Sequence, residues 1–414
     1  MNIPSALFVD LYELTMAQVY YERAMTAQAV FELTVRELPE NWDYLIAAGL
    51  DRALAFLEDL HFSEDDLAYL NTLPQFDRRF LNQLRNLRFT GDVWAPREGT
   101  IVYPHEPLIQ VIAPLPEAQI VETALINQIA YPTLVASKAA RAVDAAAGRP
   151  VIEFGGRRAH GSEAAVEASR ATYIAGFEAT SSVEAGRRYD LPVTGTMAHS
   201  LVLAEADEAA AFDAFVARYP ATTLLVDTFD TPDGVTNAIR TAKKHGPGSV
   251  GAIRIDSGNR HNEAWQARIK LDTAGLSDVW IVVSGGLDEY RIAELVGANA
   301  PIDIFACGTS IVAPPDAATL DSAYKMVEYD GRPVAKRSPG KPSIGHRKQV
   351  WRLADQDLIA RFDERPPDAD PVLQQVMSSG QRTSEGIDTL SRMRVRAASP
   401  RGPRRVKIDP SLLR

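Results

Sequence analysis

The stretch Val-Gly-Ala-Ile-Arg-Ile-Asp-Ser-Gly-Asn at 250–259 is a short apolar run that ends in Arg254, Asp256 and Gly258. A continuous apolar run is typical of a strand that is covered on both faces. The polar residues that follow such a strand lie at the carboxyl edge of its sheet. The stretch therefore predicts a buried parallel strand that brings a cation and a carboxylate to one point.

Five further runs share this pattern of apolar residues followed by polar residues or glycine. They lie at 151–155, 192–196, 222–227, 279–285 and 302–308. Helical patterns separate several of the runs, and this alternation predicts parallel βα units. Because no dinucleotide-binding glycine motif follows the first strand, an irregular or incomplete (β/α) barrel is favoured over an open doubly wound sheet.

The chain of 414 residues is too long for one ordinary domain. β-rich patterns flank the alternating region at 89–113 and at 324–336, where Asp330-Gly331 is a hairpin signal. We expect the strand patterns at 348–353 and 358–362 to rejoin the first β-rich region. The prediction is a discontinuous α+β sandwich domain at 1–115 and 322–394, a barrel domain at 116–321 and a loosely held C-terminal tail at 395–414.

Composition restricts the class of protein. A net charge of -10 argues against nucleic acid as the main partner. Cys307 is the only cysteine, so an intrachain disulfide is excluded and a reducing compartment is expected. The first residues do not resemble a signal peptide, and no apolar run approaches the roughly 20 residues that cross a bilayer. We expect a cytoplasmic protein without a membrane partner.

Several helices are predicted before the barrel. Apolar spacing indicates helices at 10–21, 50–58 and 63–73, the last with Ser63 as its N-terminal cap. A long helical tract at 117–147 should be bent or broken at Pro132. It carries Lys138 and Arg141 on one face, which would be either a solvated basic face or a pair of cations overhanging the site.

Two arginines and a histidine follow predicted strands. Arg157 and Arg158 come after a Gly-Gly pair, where a guanidinium fork suits a phosphate or carboxylate. His199 lies among small hydroxyl residues, and an imidazole suits proton and phosphoryl chemistry. A lone histidine at such a position is more often a packed or capping residue, so both readings stay open.

Carboxylates and glycines complete the predicted site. Asp227 and Asp256 form a pair suited to ribose hydroxyls or to Mg²⁺, whereas Asp230 precedes a helix that Thr231 would cap. Glycine turns follow the last two strands, and such turns are a frequent phosphate seat in barrels. Their residues are Ser284, Gly285, Gly286, Gly308 and Thr309. Together these groups predict an enzyme for a multiply phosphorylated sugar, without fixing its reaction.

Seven motifs, in order from about residue 8 to about residue 353, resemble nicotinate phosphoribosyltransferase. They are Asp-Leu-Tyr-Glu-Leu-Thr-Met at 10–16, Ala-Ser-Lys-Ala-Ala-Arg at 136–141, Glu-Phe-Gly-Gly-Arg-Arg at 153–158, Gly-Thr-Met-Ala-His-Ser at 195–200, Arg-Ile-Asp-Ser-Gly at 254–258, Ser-Gly-Gly at 284–286 and Gly-Thr at 308–309. The resemblance implies the type II phosphoribosyltransferase fold.

It also implies a reaction in NAD biosynthesis. Nicotinate and 5-phosphoribosyl 1-diphosphate would give nicotinate mononucleotide and pyrophosphate, with ATP as co-substrate and Mg²⁺ as cofactor. His199 takes the place of the family's phosphorylated histidine and would act with Arg254 and Asp256. Mg²⁺ with Arg157, Lys138 or Arg141 would stabilise the leaving anion.

The resemblance further assigns substrate contacts. Thr196, Arg254 and the partner subunit's Tyr12 match residues that hold nicotinate. Thr309 matches a residue that holds the phosphoribosyl substrate. The family is similar in forming a homodimer whose active sites lie at the subunit boundary, so a homodimer is expected here.

Two rival readings remain at this stage. Nicotinamide phosphoribosyltransferase looks like the same fold with an Asp at the position of Ser181, where an acid would repel the carboxylate of nicotinate. Ser181 therefore favours the acid as substrate. A non-catalytic sensor of phosphoribosyl ligands would carry lesions at His199, Arg254 or Asp256, and this chain has none.

Overall fold

The computed structural model describes residues 3–338 and 343–413. The first elements are α1 (Leu11–Glu22), β1 (Gln28–Val35), β2 (Leu45–Ile46), α2 (Leu50–Glu58), α3 (Glu64–Leu70), α4 (Arg78–Asn86), β3 (Asp92–Ala95), β4 (Ile101–Val102), β5 (Pro107–Pro114), α5 (Leu115–Ile120) and α6 (Glu122–Ala145). The next are β6 (Val151–Glu153), α7 (Ser162–Ala175), β7 (Ala179–Thr180), α8 (Val183–Tyr189), α9 (His199–Ala204), α10 (Glu208–Arg218), β8 (Thr222–Leu225), α11 (Thr231–His245), β9 (Val250–Ile255), α12 (Arg260–Thr273), β10 (Trp280–Val283), α13 (Glu289–Gly297), β11 (Ile304–Cys307) and α14 (Thr309–Val312). The last are β12 (Ser322–Tyr329), β13 (Arg332–Pro333), β14 (Lys348–Arg352), β15 (Gln356–Arg361), β16 (Asp370–Pro371), β17 (Gln374–Ser378), β18 (Gln381–Arg382), α15 (Leu390–Ala397) and β19 (Arg405–Ile408).

The chain divides into two compact units. Unit 1 contains the described residues up to Ser137 and from Asp316 onward, and unit 2 runs from Lys138 to Pro315. Helix α6 begins in unit 1 and ends in unit 2, so the division falls inside a helix. A boundary inside a regular helix leaves no turn or composition signal in the sequence.

The sheet of unit 2 is an incomplete barrel, as predicted. Its six strands are parallel and have the order β7-β6-β11-β10-β9-β8. The last strand, β11, pairs with the first, β6, as the last and first strands of a (β/α) barrel do; a doubly wound sheet instead reverses its strand order at a switch point. Within the described residues β7 and β8 remain the two unjoined edges. We call the edge formed by the carboxyl ends of these strands the carboxyl edge.

One predicted strand of this series is wrong. The run at 192–196 does not form a strand, and Val193 contributes a single bridge to Thr180 of β7. Val193 is 49% exposed, so this run has no buried face to stabilise a strand. Pro192 also lacks the N–H that a ladder needs.

Unit 1 contains an antiparallel sheet of order β13-β12-β1-β5-β3-β17-β18. The predicted hairpin is confirmed, since β12 turns back at Asp330 and Gly331 with φ values of 51° and 69°. Two left-handed residues form the type I′ turn that the Asp-Gly pair favours. By contrast β14 and β15 do not rejoin this sheet; they pair in a separate sheet of order β16-β14-β15-β19, so that part of the prediction is wrong.

The hydrophobic core of unit 1 lies between its seven-stranded sheet and helices α1 to α6. Leu33 of β1 and Val111 of β5 are fully buried there. The rings of Phe31 and Tyr324 stack with centroids 4.9 Å apart, which joins β1 to β12. The predicted helices at 10–21, 50–58 and 63–73 supply apolar faces to this core, and Ser63 caps α3 as expected.

The long helical tract is not broken at Pro132. The break lies at Val121, between α5 and α6, and Pro132 is inside α6. Proline removes one helix hydrogen bond, but tertiary contacts close to Pro132 stabilise the helix. One of them joins the hydroxyl of Ser137 to the N–H of Ile46, which donates to it at 2.8 Å. Among the helices of the described residues, none is long and apolar enough to span a membrane.

The prediction of a loosely held tail is wrong for most of residues 395–412. Strand β19 pairs in parallel with β15, and Arg404 donates to the carboxylate of Asp357 at 2.7 Å. Asp357 is fully buried and also binds Arg352. A buried carboxylate needs charged partners. Arg404 of the C-terminal segment is one of the two arginines that bind Asp357.

Glu13 of α1 gives unit 1 a pH-dependent contribution to stability. Its side chain is fully buried and its Oε1 accepts hydrogen bonds from the N–H and hydroxyl of Thr123. Burial, reinforced by the Glu122 carboxylate and partly offset by Thr123, raises the pKa of Glu13 to about 7. A raised pKa means that the folded state favours the protonated acid, so the contribution is complete at low pH and is lost as pH rises to about 7.

We expect Glu13→Gln to remove this dependence, because glutamine keeps an acceptor for Thr123 without a charge. The free energy of unfolding at pH 8 should rise on the order of 1 kcal/mol relative to the wild type, with little change at pH 5. Urea denaturation at both values measures this. Glu22→Gln, at an exposed position of the same helix, is the control; a Glu13→Gln profile parallel to the wild type would contradict the expectation.

Candidate active site

The candidate site lies at the carboxyl edge of unit 2. Strand register places Arg254 of β9 opposite Leu225 of β8 and Val282 of β10. The loops that follow these three strands therefore begin at the same level of the sheet. This register explains why Asp227, Asp256 and Ser284 meet although they are distant in sequence.

Two carboxylates join the three loops. Oδ2 of Asp227 accepts hydrogen bonds from the N–H of Asp256 at 3.0 Å and from the hydroxyl of Ser257 at 2.5 Å. Oδ1 of Asp256 accepts from the hydroxyl of Ser284 at 2.5 Å. The loops after β8, β9 and β10 are thus held together by side chains that the sequence analysis selected.

Arg254 lies beside these carboxylates. Its Nη1 is 3.7 Å from Oδ1 of Asp256, and its Nη2 donates to the carbonyl of Met197 at 3.1 Å. Burial lowers the pKa of Arg254 while Asp256 and Asp227 oppose that effect, and a guanidinium remains charged under these conditions. Its buried Nε has no partner among the described residues, which leaves a donor for an anionic ligand.

His199 is the first residue of α9. Its Nδ1 lies 3.0 Å from the hydroxyl of Thr228, in the loop after β8. Arg254 binds the carbonyl of Met197 only two residues before His199. The imidazole is half-buried, and engagement of Nδ1 leaves Nε2 as the nitrogen available to a reactant.

Lys138 and Arg141 are neither a solvated face nor free cations. The ammonium of Lys138 is 2.8 Å from Oε2 of Glu289, and Nε of Arg141 is 2.8 Å from Oε1 of the same residue. Both cations lie over the ring of Tyr290, and the Lys138 side chain is 1% exposed. A phosphate contact by Lys138 would have to compete with this buried carboxylate.

The glycine turn after β10 requires glycine. Gly285 and Gly286 have φ values of 80° and 64°, and a Cβ at Gly285 would lie 2.1 Å from the carbonyl oxygen of Asp256. Among hydrogen bonds between described residues, none uses the N–H of Gly285 or Gly286 as donor. Free N–H groups in such a turn suit a phosphate.

The turn after β11 also lies near its neighbour, with more space than at Gly285. A Cβ at Gly308 would lie 3.1 Å from the carbonyl oxygen of Phe154, at the end of β6. Gly308 precedes Thr309, the first residue of the short helix α14, and Thr309 is exposed. The two final strands thus present consecutive glycine turns at the carboxyl edge.

The remaining predicted substrate residues lie on neighbouring loops of unit 2, except Tyr12. Arg157 is exposed after β6 and is near enough to Arg254 to lower the pKa of that guanidinium. Ser181 is exposed after β7, and the hydroxyl of Thr196 donates to the carbonyl of Met197 at 3.1 Å. Tyr12 belongs to α1 of unit 1, where it is 44% exposed.

Two charged residues of the site were not selected from sequence. Glu153 is fully buried at the end of β6, and its carboxylate accepts hydrogen bonds from Ser169, Thr180 and the N–H of Gly155. Arg260 begins α12 and binds carbonyl groups of two loops. A polar residue after an apolar run was the available signal for Glu153, but the direction of its side chain depends on tertiary packing.

The two aspartates fit Mg²⁺ held jointly with a substrate. Oδ1 of Asp227 is buried and has no partner among the described residues, while the Asp256 carboxylate is partly exposed. Within the same residues, no group of three or more His, Cys, Asp or Glu side chains suits a metal ion. Mg²⁺ commonly binds one or two carboxylates together with phosphate oxygens and water, which matches this pair.

Comparison with known proteins gives the family. The sequence-family model of the nicotinate phosphoribosyltransferase (NAPRTase) N-terminal domain matches residues 7–130. A nicotinate phosphoribosyltransferase of Mycobacterium tuberculosis is 49% identical over 391 residues, covering 93% of this chain and 84% of that protein. The nicotinate phosphoribosyltransferase of Bacillus subtilis is 40% identical, covering 88% of this chain and 77% of that protein.

Solved structures share the fold. Human nicotinic acid phosphoribosyltransferase superposes with a TM-score of 0.82 at 24% identity, covering 98% of each chain. A nicotinate-nucleotide pyrophosphorylase from Pyrococcus furiosus superposes with a TM-score of 0.79 at 26% identity, covering 95% of this chain and 94% of that one. Because it is 49% and 40% identical to the mycobacterial and Bacillus relatives over most of its length, this chain is an enzyme of the nicotinate phosphoribosyltransferase family.

Proposed function

We propose that this enzyme joins nicotinate to 5-phosphoribosyl 1-diphosphate, giving nicotinate mononucleotide and pyrophosphate for NAD biosynthesis, with coupled hydrolysis of ATP. The observation that carries the proposal is the group formed by Arg254, Asp256 and the His199 segment at the carboxyl edge. A partly buried guanidinium whose Nε has no partner among the described residues, beside carboxylates and free peptide N–H groups, suits one carboxylate substrate and one phosphorylated substrate.

Arg254 binds the carboxylate of nicotinate in this proposal. Its Nε is buried without a partner among the described residues, and a guanidinium binds a carboxylate through parallel hydrogen bonds. Thr196 lies on the loop that Arg254 contacts through Met197 and supplies a hydroxyl beside the ring. The partner subunit's Tyr12 covers the pyridine ring with its aromatic face.

The phosphoribosyl substrate lies along the glycine turns. The N–H groups of Gly285 and Gly286 and the turn at Gly308 bind a phosphate group, with Thr309 beside it. Asp227 and Asp256 would hold Mg²⁺, which would neutralise charge on the diphosphate. As the C1–O bond breaks, Arg157 stabilises the developing negative charge of the leaving group.

His199 couples the reaction to ATP. Nε2 attacks the γ-phosphorus, the bond to the β,γ-bridging oxygen breaks, and ADP leaves with that electron pair. Water later cleaves the phosphohistidine to release phosphate. While present, the phosphoryl group adds negative charge to the His199 segment, which Arg254 contacts at the carbonyl of Met197, and such a charge orders the loops around a substrate.

A homodimer completes the site. Helix α1 exposes four large apolar or aromatic side chains at helical spacing, namely Leu11, Tyr12, Met16 and Val19. A contiguous exposed face of this kind is typical of a protein interface. In this proposal a second copy covers the face and receives Tyr12 at its nicotinate site.

An assay for nicotinate mononucleotide with and without ATP tests the proposal. We expect product from nicotinate, more product with ATP, and little turnover of nicotinamide. The last expectation follows because this chain has Ser181 at the position where an acid would favour the amide. A preference for nicotinamide would establish the rival transferase. Binding of phosphoribosyl compounds without any product would instead support a sensor.

A further inference from the structure

Arg260 connects two loops of the carboxyl edge through a single guanidinium. Its Nε donates to the carbonyl of Ser284 at 2.9 Å. Its Nη2 donates to the carbonyls of Asp256 at 2.9 Å and Gly285 at 2.5 Å. The three carbonyls belong to the loops after β9 and β10, so one side chain holds both loops in register.

The same peptide groups present their N–H on the opposite side. In a planar trans peptide the C=O and N–H bonds point in opposite directions, and the described residues contain no cis peptide. The carbonyls of Asp256, Ser284 and Gly285 share peptide groups with the N–H of Ser257, Gly285 and Gly286. These three N–H groups therefore point away from the guanidinium.

None of these N–H groups donates a hydrogen bond to another described residue. Among hydrogen bonds between described residues, no donor is the backbone N–H of Ser257, Gly285 or Gly286. A cation bound at the carbonyl oxygen polarises a peptide group and strengthens its N–H as a donor. The three N–H groups are thus both oriented and strengthened as donors to an anion.

We infer that Arg260 is a positioning residue for the phosphate group of the phosphoribosyl substrate, acting through the peptide groups that it holds. The identity of that substrate rests on the proposed function. Arg260 does not need to touch the substrate, because its Nε and Nη2 bind the three carbonyls. Its effect on an anion passes through the N–H groups of Ser257, Gly285 and Gly286.

The chain offers a matched control on the same helix. Arg268 of α12 donates to the carbonyls of Leu276 and Val279, each at 2.9 Å. Val279 precedes β10, so these carbonyls lie at the amino end of that strand, opposite the candidate site. Arg268 therefore braces a loop by the same chemistry without approaching the carboxyl edge.

The test compares Arg260→Ala, Arg260→Lys and Arg268→Ala in the full-length protein. Ribose 5-phosphate is the binding probe in calorimetry, and KM values are measured for both substrates. We expect Arg260→Ala to weaken binding of ribose 5-phosphate and to raise KM for 5-phosphoribosyl 1-diphosphate, each roughly tenfold, with KM for nicotinate within about twofold. Arg260→Lys should recover part of this loss, and Arg268→Ala should bind the probe like the wild type.

Unchanged probe affinity in Arg260→Lys and in folded Arg260→Ala would overturn the inference. Equal losses in Arg260→Ala and Arg268→Ala would also overturn it, because the effect would then follow general destabilisation. If the wild type binds ribose 5-phosphate but makes no nicotinate mononucleotide, the proposed function fails while the binding comparison still decides the role of Arg260.

Discussion

Arg254→Gln is expected to lower kcat/KM for nicotinate roughly a thousandfold, equivalent to about 4 kcal/mol. The physical reason is that the substitution removes the guanidinium from a partly buried position beside Asp256 and leaves the substrate carboxylate without its cationic partner. Steady-state kinetics with nicotinate measures the loss. Arg254→Lys should be intermediate, because an ammonium keeps the charge but lacks the planar fork.

Nicotinamide provides the internal control for this prediction. The amide carries no negative charge, so its slow turnover should fall much less than that of nicotinate. Far-ultraviolet circular dichroism checks that the variant is folded. An equal fractional loss with the acid and the amide would show that Arg254 supports the loops rather than the substrate carboxylate.

His199→Ala is expected to abolish ATP hydrolysis that depends on the two substrates, while product formation without ATP persists. Alanine removes the nitrogen that would accept the γ-phosphoryl group, and the fold should be retained because the imidazole is only half-buried. Labelled phosphate transferred from ATP to the protein, together with the ratio of ADP to nicotinate mononucleotide, measures the effect. The label should be acid-labile in the wild type and absent from the variant.

His245→Ala is a suitable control for His199→Ala. His245 is the last residue of α11 and pairs with Asp213, at the end of that helix away from the carboxyl edge. It should keep full coupling. Continued ATP consumption and labelling in His199→Ala would remove His199 from the mechanism, whatever the yield of product.

Five of the six strands of unit 2, namely β6, β8, β9, β10 and β11, could be predicted from the sequence because each is a short, largely apolar run. The same rule failed at 192–196, where the apolar letters are present but Val193 stays exposed. Local pattern cannot report whether a partner element covers a run. Tertiary contacts therefore decide that β7, and not the run at 192–196, pairs with β6.

Helix α6 and the C-terminal residues show a second limit. Pro132 is a strong local signal for a break, but the bond between Ser137 and Ile46 helps hold the helix to a segment 91 residues away in sequence. The arginines after residue 395 read as a solvated tail. Arg404 instead binds the buried carboxylate of Asp357, a partner that is identified only once the sheet is formed.

For the site, the linear sequence supplied the residue types: an arginine, acids, a histidine and glycines at strand ends, in an order that matches a known family. Those identities follow from chemistry and short-range geometry, since a parallel strand must deliver its last residues to one edge of its sheet. The partners of each side chain depended on three-dimensional packing. Lys138 and Arg141 pair with Glu289. Asp227 binds the loop of Asp256, and Arg260 binds carbonyl groups of two loops. Partners so distant in sequence are set by the distance and burial of each group in the folded chain, which a local sequence pattern does not encode.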